Sequence, residues 1–490
     1  MAFSGLGVAC DRKENLKLKQ AESIKKIAAL QMTAIGVLLQ AAVYAYFWLY
    51  VYYPIVSRPH VSLDGYALGE GLKLYFRGHV LVILIYLVLL WFFSNTYDAL
   101  RIGYQKVTDI FLSQVFSLLL VDIISYFQIS LMNNWIVPVL PMAQVFVIQL
   151  VLSFAWTAIS NAVYHKVFPP RQMLLVSGEN PIDDIYEKFQ SRREKYIIKN
   201  CIRLSEGMDR VREEILNGYG AVILWDIHSA ERNELLKHCY GNNIRVYVMP
   251  KIPDVLLMGA DQLHLVDTPV LMVREYAMTF SERVIKRLID IVCALFLTVL
   301  TSPVMLVTAI AICLEDGGPV LYRQKRCTIH RRTFEILKFR SMKVDAEADG
   351  VARLSTVHDE RITQVGRFIR RVRIDELPQL FNILRGDMSF IGPRPERPEI
   401  LAEYLETMPE FAYRMRVKAG LAGYAQVYGK YNTTPYDKLK LDLTYIENYS
   451  VWLDLKLMLL TLKILLQPET TEGVEDGHTT AMTAEGEKKE

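Results

Sequence analysis

Two adjacent carboxylates, Asp375 and Glu376, lie in the most cationic part of this sequence. Eight Lys and Arg residues but only one acid occur between Arg323 and Lys343, and five arginines without an acid occur between Arg361 and Arg373. Arg and Lys make charge-assisted hydrogen bonds to phosphate oxygens, so clusters this one-sided indicate a phosphate-binding surface. Attraction to anionic lipid headgroups is the alternative, and both can hold.

The acid pair itself could do chemistry on phosphate. Two carboxylates among many arginines could hold a divalent cation, and one of them could attack a phosphoryl group as a nucleophile. Oxygen ligands alone favour magnesium over zinc. The alternative is that Asp375 and Glu376 only cap the helix that Pro378 and the following leucines predict, which ends at Gly386.

Two flanking motifs must position this pair. Upstream, a basic helix with one apolar stripe, typical of a membrane interface, is predicted from the spacing of Val365, Phe368, Ile369 and Val372. Downstream, Pro393 and Pro395 flank Arg394 and restrict where its guanidinium can point. A rigid arginine near two carboxylates suits an anion site, whereas a Pro-rich surface linker is the alternative.

An uncharged run from Ile291 to Leu314 precedes the cationic region. Its length suffices for a transmembrane helix, but basic residues flank both ends and favour the same, cytoplasmic side. The pair Ser302-Pro303 interrupts the run, and proline removes a backbone donor. The pattern predicts a re-entrant helix over 288–314, bent at this pair, that enters and leaves one leaflet. An ordinary kinked transmembrane helix is the alternative.

Four further apolar segments predict transmembrane helices within residues 27–160. They are residues 27–53, 80–93, 110–132 and 135–158. The Lys-rich segment 1–26 places the N terminus inside, and four crossings return the chain to the cytoplasm. Asp122, inside the third helix, is either a functional acid or a helix-packing hydrogen-bond partner.

Residues 170–275 alternate strand-like and helix-like segments, which predicts an α/β domain with a parallel sheet. The strands are predicted at 173–177, 196–203, 221–225 and 244–249, and the helices at 182–189, 208–216 and 231–239. After the first strand, Gly178 is not part of the G-x-G-x-x-G pattern of dinucleotide-binding folds. We therefore expect a degenerate nucleotide-binding-like domain with a structural or regulatory role.

Composition agrees with a membrane protein of several domains. The chain has 490 residues, of which 52% are hydrophobic, and a net charge of +3. Its six cysteines form no C-x-x-C pair, so reduced thiols are expected rather than a zinc site or disulfides. No cleavable signal peptide is predicted, and the Glu- and Thr-rich tail 467–490 is expected to be disordered.

Several motifs follow one another in a recognisable order. They are Lys338-Phe339-Arg340-Ser341-Met342, Arg370, Asp375-Glu376-Leu377-Pro378-Gln379-Leu380, Gly386-Asp387-Met388-Ser389 and Gly392-Pro393-Arg394-Pro395. With them, residues 281–466 resemble the bacterial sugar transferase family of monotopic polyprenyl-phosphate phosphoglycosyl transferases. The four N-terminal helices and the α/β domain resemble its large members, which include undecaprenyl-phosphate glucose and galactose phosphotransferases. Ala419, Ala422-Gly423-Tyr424 and Lys430 depart from the family pattern, which leaves the accepted sugar open.

The resemblance implies that a sugar 1-phosphate passes from a UDP-sugar to undecaprenyl (polyprenyl) phosphate, with release of UMP. This is the first membrane step of exopolysaccharide, capsule or O-antigen repeat-unit synthesis. The resemblance assigns Asp375 as the covalent nucleophile, and Asp375 with Glu376 as ligands of Mg2+. It further assigns phosphate binding to Lys338, Arg340, Arg370 and Arg394, and the break of the re-entrant helix to Ser302 and Pro303.

The expected fold is therefore a multi-domain membrane protein. It combines a four-helix transmembrane bundle, a degenerate Rossmann-like α/β domain and a mainly α catalytic domain, 281–466, with re-entrant and interfacial amphipathic helices. We expect it in the bacterial inner membrane, with the catalytic domain on the cytoplasmic face against inner-leaflet lipids. A homodimer is one option, and no nucleic-acid partner is expected.

The sequence leaves two alternative functions. One is a non-catalytic scaffold of polysaccharide assembly. The other is an NAD-dependent sugar oxidoreductase, which the missing glycine pattern opposes.

Overall fold

The structure is a computed structural model that describes residues 4–58, 60–61, 67–69, 71–179, 181–190, 192–343, 361–429 and 433–465. It divides into two compact units, Met1–Met249 and Pro250–Glu490. The first unit contains the N-terminal apolar helices and a parallel sheet, and the second contains the acid pair. The tail 467–490 and Lys430, on which predictions were made, lie outside the described residues.

The first unit begins with long apolar helices. Its elements are α1 (Ser4–Phe47), a π-helical turn (Trp48–Tyr52), α2 (Tyr53–Val56), β1 (His60–Val61), β2 (Ala67–Gly69), α3 (Phe76–Thr96), α4 (Val107–Met132) and α5 (Leu140–Val167). Four helical stretches here are long and apolar enough to cross a membrane, as predicted: Ser23–Val56, α3, α4 and α5. Helix α5 begins at Leu140 rather than Trp135, because Asn134 has a positive φ of 55° and a proline occupies the first turn of the helix.

Buried polar side chains connect these four helices. Tyr86 of α3 donates a hydrogen bond of 2.9 Å to Asp122 of α4, and Gln149 of α5 donates one of 2.7 Å to the Tyr86 hydroxyl. Gln40 of α1 donates to Ser153 of α5 at 2.9 Å. Asp122 thus makes the helix-packing hydrogen bond that was one of its two predicted roles.

The α/β part of the first unit has a four-stranded parallel sheet in the order β4-β3-β5-β6. Its elements are β3 (Arg171–Ser177), α6 (Asp183–Gln190), β4 (Tyr196–Arg203), α7 (Met208–Ile215), β5 (Ala221–Trp225), α8 (Ser229–Gly241) and β6 (Val246–Val248). The predicted strand–helix alternation is confirmed. A Cβ on Gly178 would lie 2.0 Å from the Asp226 carbonyl oxygen, so close backbone packing explains this glycine without a bound phosphate.

The second unit is mainly helical. Its elements are α9 (Ile252–Met258), β7 (Asp261–Leu265), β8 (Thr268–Met272), α10 (Phe280–Asp316), β9 (Leu321–Cys327), β10 (Thr333–Phe339), α11 (Gln364–Arg371), α12 (Gln379–Arg385), β11 (Ser389–Ile391), α13 (Pro398–Thr407), β12 (Gly420–Ala422), α14 (Tyr424–Tyr428), α15 (Pro435–Glu447) and α16 (Val451–Ile464). Strands β9 and β10 form an antiparallel hairpin, and β11 pairs with β12 in parallel. One hydrophobic core joins α10, α12, α15 and α16 to these strands.

Helix α10 is a fifth helix long and apolar enough to cross a membrane. It continues as one helix across Ser302 and Pro303, the position of the predicted bend. Proline has no N–H for the carbonyl four residues earlier, which is that of Val299. The Ser302 hydroxyl donates to this carbonyl at 2.8 Å. The serine therefore satisfies the acceptor that Pro303 leaves unpaired.

Helix α10 packs on the second unit near its two ends, through Lys286, Asp290 and Ala294 toward its start and through Thr308 and Ile312 toward its end. Large apolar residues are exposed along the helix and over its middle: Phe280, Val284, Ile285, Leu288, Ile291, Val292, Leu295, Phe296, Val299, Leu300, Val304, Leu306, Val307, Ile310 and Leu314. An apolar surface of this length indicates contact with lipid or with another protein.

Both ends of α10 bind the segment that contains the acid pair. Near its start, Arg287 donates to the carbonyls of Ile383 and Leu384 at 2.6 and 2.7 Å, at the C-terminal end of α12. Near its end, the Glu315 carboxylate accepts from the first two backbone N–H groups of α11, at 2.7 and 3.2 Å. Both contacts satisfy helix-end groups that would otherwise lack partners.

Helix α11 divides its predicted apolar stripe between two surroundings. Val365 and Ile369 pack with Ile312 of α10, and Ile369 is fully buried. Phe368 and Val372 remain exposed. The stripe therefore attaches α11 to α10 on one side and leaves apolar surface on the other.

Candidate active site

Asp375 and Glu376 lie in a short 3-10 turn, Ile374–Glu376, between α11 and α12. Arg373, just before it, has a left-handed backbone with φ 56°, which turns the chain sharply between the two helices. The acid pair precedes α12 instead of occupying its first turn. Pro378 at the N-terminal cap of α12 provides no side-chain hydrogen bond, and neither acid caps the helix in its place. Capping therefore does not explain the pair.

Glu376 holds two cations on one oxygen. Lys338 Nζ, from β10, and Arg394 Nη2, from the loop after β11, each lie 3.2 Å from Glu376 Oε1. Burial alone would raise the pKa of this carboxyl, but Lys338 and Arg394 together hold its pKa well below the usual range. Glu376 is therefore ionised at neutral pH, and it orients two of the predicted phosphate-binding residues.

Asp375 has a different environment. Burial, and then the neighbouring charge of Glu376, raise the pKa of its carboxyl, while Lys338 and Arg370 partly offset this rise. Within the described part of the chain, its carboxylate makes no hydrogen bond or ion pair. Its oxygens therefore remain available to an incoming group, and a raised pKa makes a carboxylate a better nucleophile.

The loop that contains Arg394 is fixed on the protein core. Arg414 donates to the Arg394 carbonyl at 3.0 Å, and Arg326 donates to the Pro395 carbonyl at 3.1 Å. The backbone N–H of Gly420 donates to the Pro393 carbonyl at 3.0 Å. The segment is thus a rigid support for Arg394 and not a surface linker.

A buried ionic network lies behind this loop. Arg414, only 3% exposed, binds Glu396 at 3.0 Å and Asp442 at 2.7 Å, and Lys438 also contacts Glu396. Burial alone would raise the pKa of Glu396, but Lys438 and Arg414 hold it well below the usual range. Sequence reasoning gave Arg414 and Glu396 no role. The signal that could have found Glu396 is an acid in a Pro-rich segment two residues from Arg394.

The other predicted site residues occupy different positions. Arg370, in the last turn of α11, contributes positive potential at Asp375. Arg340 binds Asp316 at the end of α10, and among the described residues its Nε and Nη1 have no hydrogen-bond partner. The structure therefore brings Lys338 and Arg394 directly to the acid pair and directs Arg340 toward α10.

The donor set at the acid pair can be compared with the needs of magnesium. Among the described residues, no group of three or more His, Cys, Asp or Glu side chains could hold a metal ion. Mg2+ is commonly held by one or two carboxylates, with substrate phosphates and waters completing its octahedron. Asp375 and the second oxygen of Glu376 fit this arrangement, provided that a substrate phosphate supplies further ligands.

Comparison with known proteins agrees with this geometry. The sequence profile described as bacterial sugar transferase matches residues 281–468. A UDP-glucose:undecaprenyl-phosphate glucose-1-phosphate transferase of Caulobacter vibrioides is 42% identical over 186 residues, which are 37% of this chain and 69% of that protein. The chain belongs to the bacterial sugar transferase family.

Two other members of the bacterial sugar transferase family are similar over a smaller share of their length. One is a UDP-N-acetylgalactosamine-undecaprenyl-phosphate N-acetylgalactosaminephosphotransferase of Aeromonas hydrophila, 39% identical over 49% of this chain and 56% of that protein. The other is an undecaprenyl-phosphate glucose phosphotransferase of Komagataeibacter xylinus, 43% identical over 36% of this chain and 35% of that protein. The chain thus spans between about a third and about half the length of these two relatives.

Proposed function

We propose that this protein transfers a sugar 1-phosphate from a UDP-sugar to undecaprenyl phosphate and releases UMP. The observation that carries the proposal is the asymmetry of the acid pair. Glu376 is ionised and occupied by Lys338 and Arg394, whereas the oxygens of the adjacent Asp375 have no partner among the described residues and its pKa is raised. Two carboxylates with such different surroundings are suited to different roles in one reaction.

The proposed reaction has two displacements at one phosphorus atom. An Asp375 oxygen attacks the sugar-proximal phosphorus of the donor, the bond from that phosphorus to the UMP oxygen breaks, and UMP leaves. A phosphate oxygen of the lipid then attacks the same phosphorus and displaces Asp375, which regains its carboxylate. Lys338 and Arg394 neutralise the phosphate charge, and this neutralisation is the main protein contribution to phosphoryl transfer.

Magnesium is part of the proposal. When bound, Mg2+ would neutralise the charge on the donor diphosphate and its leaving oxygen. Asp375 and Glu376 are the residues that would hold it. Chelation with EDTA should abolish UMP release, and added Mg2+ should restore it.

We further propose that α10 enters and leaves one leaflet of the membrane that the four N-terminal helices cross, with the acid pair on the cytoplasmic side. Basic residues flank both ends of α10, and both ends bind helices next to Asp375. Large apolar residues of α10 are exposed along its length, and the Ser302 hydroxyl satisfies the carbonyl that a proline in lipid would leave unpaired.

Labelling of single cysteines tests this placement. Arg283→Cys and Arg331→Cys, at exposed positions before and after the apolar run, should both react with a membrane-impermeant maleimide only when the inner face is accessible. Labelling of the two positions from opposite faces would establish a crossing helix.

The reaction is tested with purified protein, undecaprenyl phosphate and a panel of UDP-sugars, by measuring UMP. The panel includes UDP-glucose and UDP-galactose, which we expect to be the preferred donors. It also includes UDP-linked acetylated amino sugars, because the name of the Aeromonas relative contains UDP-N-acetylgalactosamine. Asp375→Asn should lower UMP release by at least about 1,000-fold, since the nucleophile is lost. Lipid binding without UMP release from any donor would favour the alternative, a non-catalytic scaffold.

A further inference from the structure

Three cations from separate segments meet at the C-terminal end of α12. They are Arg287 of α10, Arg332 of the hairpin between β9 and β10, and Lys418 ahead of β12. An ideal Cβ on Gly386 would lie 3.4 Å from Arg287 Nη2 and 3.7 Å from Lys418 Nζ. Gly386 has φ 92° and ends α12, so its backbone, which carries no side chain, lies within contact distance of two positive charges.

Lys418 lacks an ion-pair partner among the residues that the structure describes. It is half-buried, and its Nζ makes no hydrogen bond or ion pair within the described ranges. Burial and the nearby Arg287 lower the pKa of its ammonium group, and Asp290 only partly offsets them. A half-buried cation beside another cation is unfavourable unless an anion joins them.

The surrounding backbone is built to hold these charges in place. The Thr328 hydroxyl, fully buried, donates to the Asp387 carbonyl at 3.0 Å and accepts from the Ala419 N–H at 3.1 Å. Arg332 binds the Asp387 carboxylate at 2.6 Å, so the acid that follows Gly386 already has a cationic partner. The hairpin tip before Arg332 has two consecutive left-handed residues, His330 and Arg331, with φ 55° and 60°. Such strained non-glycine positions cluster at functional sites.

We propose that Arg287, Arg332 and Lys418 form a phosphate-binding site separate from the acid pair, and that it takes the headgroup phosphate of an anionic phospholipid. Exposed apolar residues of α10 lie on both sides of Arg287 in the sequence, Ile285 before it and Leu288 after it, so the site borders the surface that we propose to face lipid headgroups. Charge-assisted hydrogen bonds to phosphate are the strongest contacts that these side chains can make. The lipid source rests on the proposed membrane placement of α10, and free phosphate shares the same chemistry.

Calorimetric titration of the full-length protein in a neutral detergent tests the site. The ligands are dihexanoyl phosphatidylglycerol, dihexanoyl phosphatidylcholine and inorganic phosphate. The variants are Lys418→Met and Arg332→Gln, with Lys325→Met as a control that removes an exposed lysine of the same hairpin. Arg287 is left intact because it also caps α12. Thermal unfolding of each variant shows that the protein is folded.

We expect Lys418→Met to weaken phosphatidylglycerol binding by about 10-fold or more, from the loss of one charge-assisted hydrogen bond, with less than about 2-fold change in the control. Arg394→Gln should leave the Lys418-dependent binding of phosphatidylglycerol unchanged, because Arg394 lies at the acid pair.

If the Lys418→Met substitution weakens the binding of inorganic phosphate only, the phosphate site is supported and a lipid as the source of the phosphate is wrong. Equal affinities of all ligands for wild type and Lys418→Met overturn the site. No turnover is needed, so the outcome is independent of the transferase proposal.

Discussion

The Nζ of Lys338 lies 3.2 Å from Oε1 of Glu376, and this contact joins strand β10 to the turn that contains the acid pair. Arg394, which follows Glu376 by 18 residues, donates a hydrogen bond to the same oxygen. Glu376 therefore acts as the common anion that keeps Lys338 and Arg394, the two predicted phosphate-binding cations, together without a bound substrate. Such preorganisation lowers the cost of assembling the site during the reaction.

Replacing Glu376 by Gln should destabilise the second unit as well as stop turnover. Two partly exposed cations would lose their shared anion, at a cost of about 1–3 kcal/mol after allowance for solvent screening. The expected result is a fall in the unfolding midpoint measured by thermal scanning in detergent. The matched control is Glu335→Gln, whose partner Arg323 is 3.7 Å away and largely exposed. An equal loss of stability in both variants would contradict the role given to Glu376.

The acidic limb of the pH–rate profile should report Asp375. Its pKa is raised, so UMP release should fall as pH decreases through a value above about 3.9, the ordinary Asp pKa. Arg370 favours the carboxylate, and Arg370→Gln should therefore move this limb to higher pH. The neighbouring exposed Arg371 provides the control as Arg371→Gln. A limb that stays in place, or moves to lower pH, in Arg370→Gln would show that another group titrates.

A buried lysine at the start of α10 should be essential for stability. Lys286 Nζ donates to the Ile391 carbonyl at 2.9 Å and to Asp454 at 2.5 Å, and it is 8% exposed. Lys286→Met should cost about 3–5 kcal/mol because Asp454 is left as a buried unpaired charge. The double variant Lys286→Met/Asp454→Asn should recover part of the loss. Thermal unfolding measures both, and Arg283→Met, exposed and one turn earlier, is the control.

The Ser302 hydroxyl should matter only in the presence of Pro303. Ser302→Ala leaves the Val299 carbonyl unpaired and should destabilise α10 by about 1–2 kcal/mol. Pro303→Ala restores the missing N–H donor, so the same serine substitution in that background should cost only a few tenths of a kcal/mol. A double-mutant cycle of unfolding midpoints measures the coupling. Independent effects of the two substitutions would show that the serine does not compensate for the proline.

Local periodicity was sufficient to predict most of the fold. Strands β4 and β5 were predicted at their observed bounds. The four N-terminal helices followed from length and hydropathy alone. What periodicity could not give is which side chains of distant segments meet. Lys286 and Asp454 are 168 residues apart, and neither is unusual in its local sequence.

The same distinction holds at the acid pair. The sequence singled out Lys338 and Arg394 by motif, and the structure places both on Glu376. Arg340 belongs to the same motif as Lys338 but binds Asp316. In a continuous strand, side chains two residues apart, such as those of Lys338 and Arg340, lie on the same face. The strand ends at Phe339, and beyond it the position of Arg340 is set by the end of α10.

Helix α10 is fastened at both ends to the two helices that flank Asp375. In the proposed placement, contact between the apolar surface of α10 and lipid would fix the distance of Asp375 from the hydrocarbon. Asp375 would then meet a lipid phosphate at one depth, whatever the length of the lipid tail.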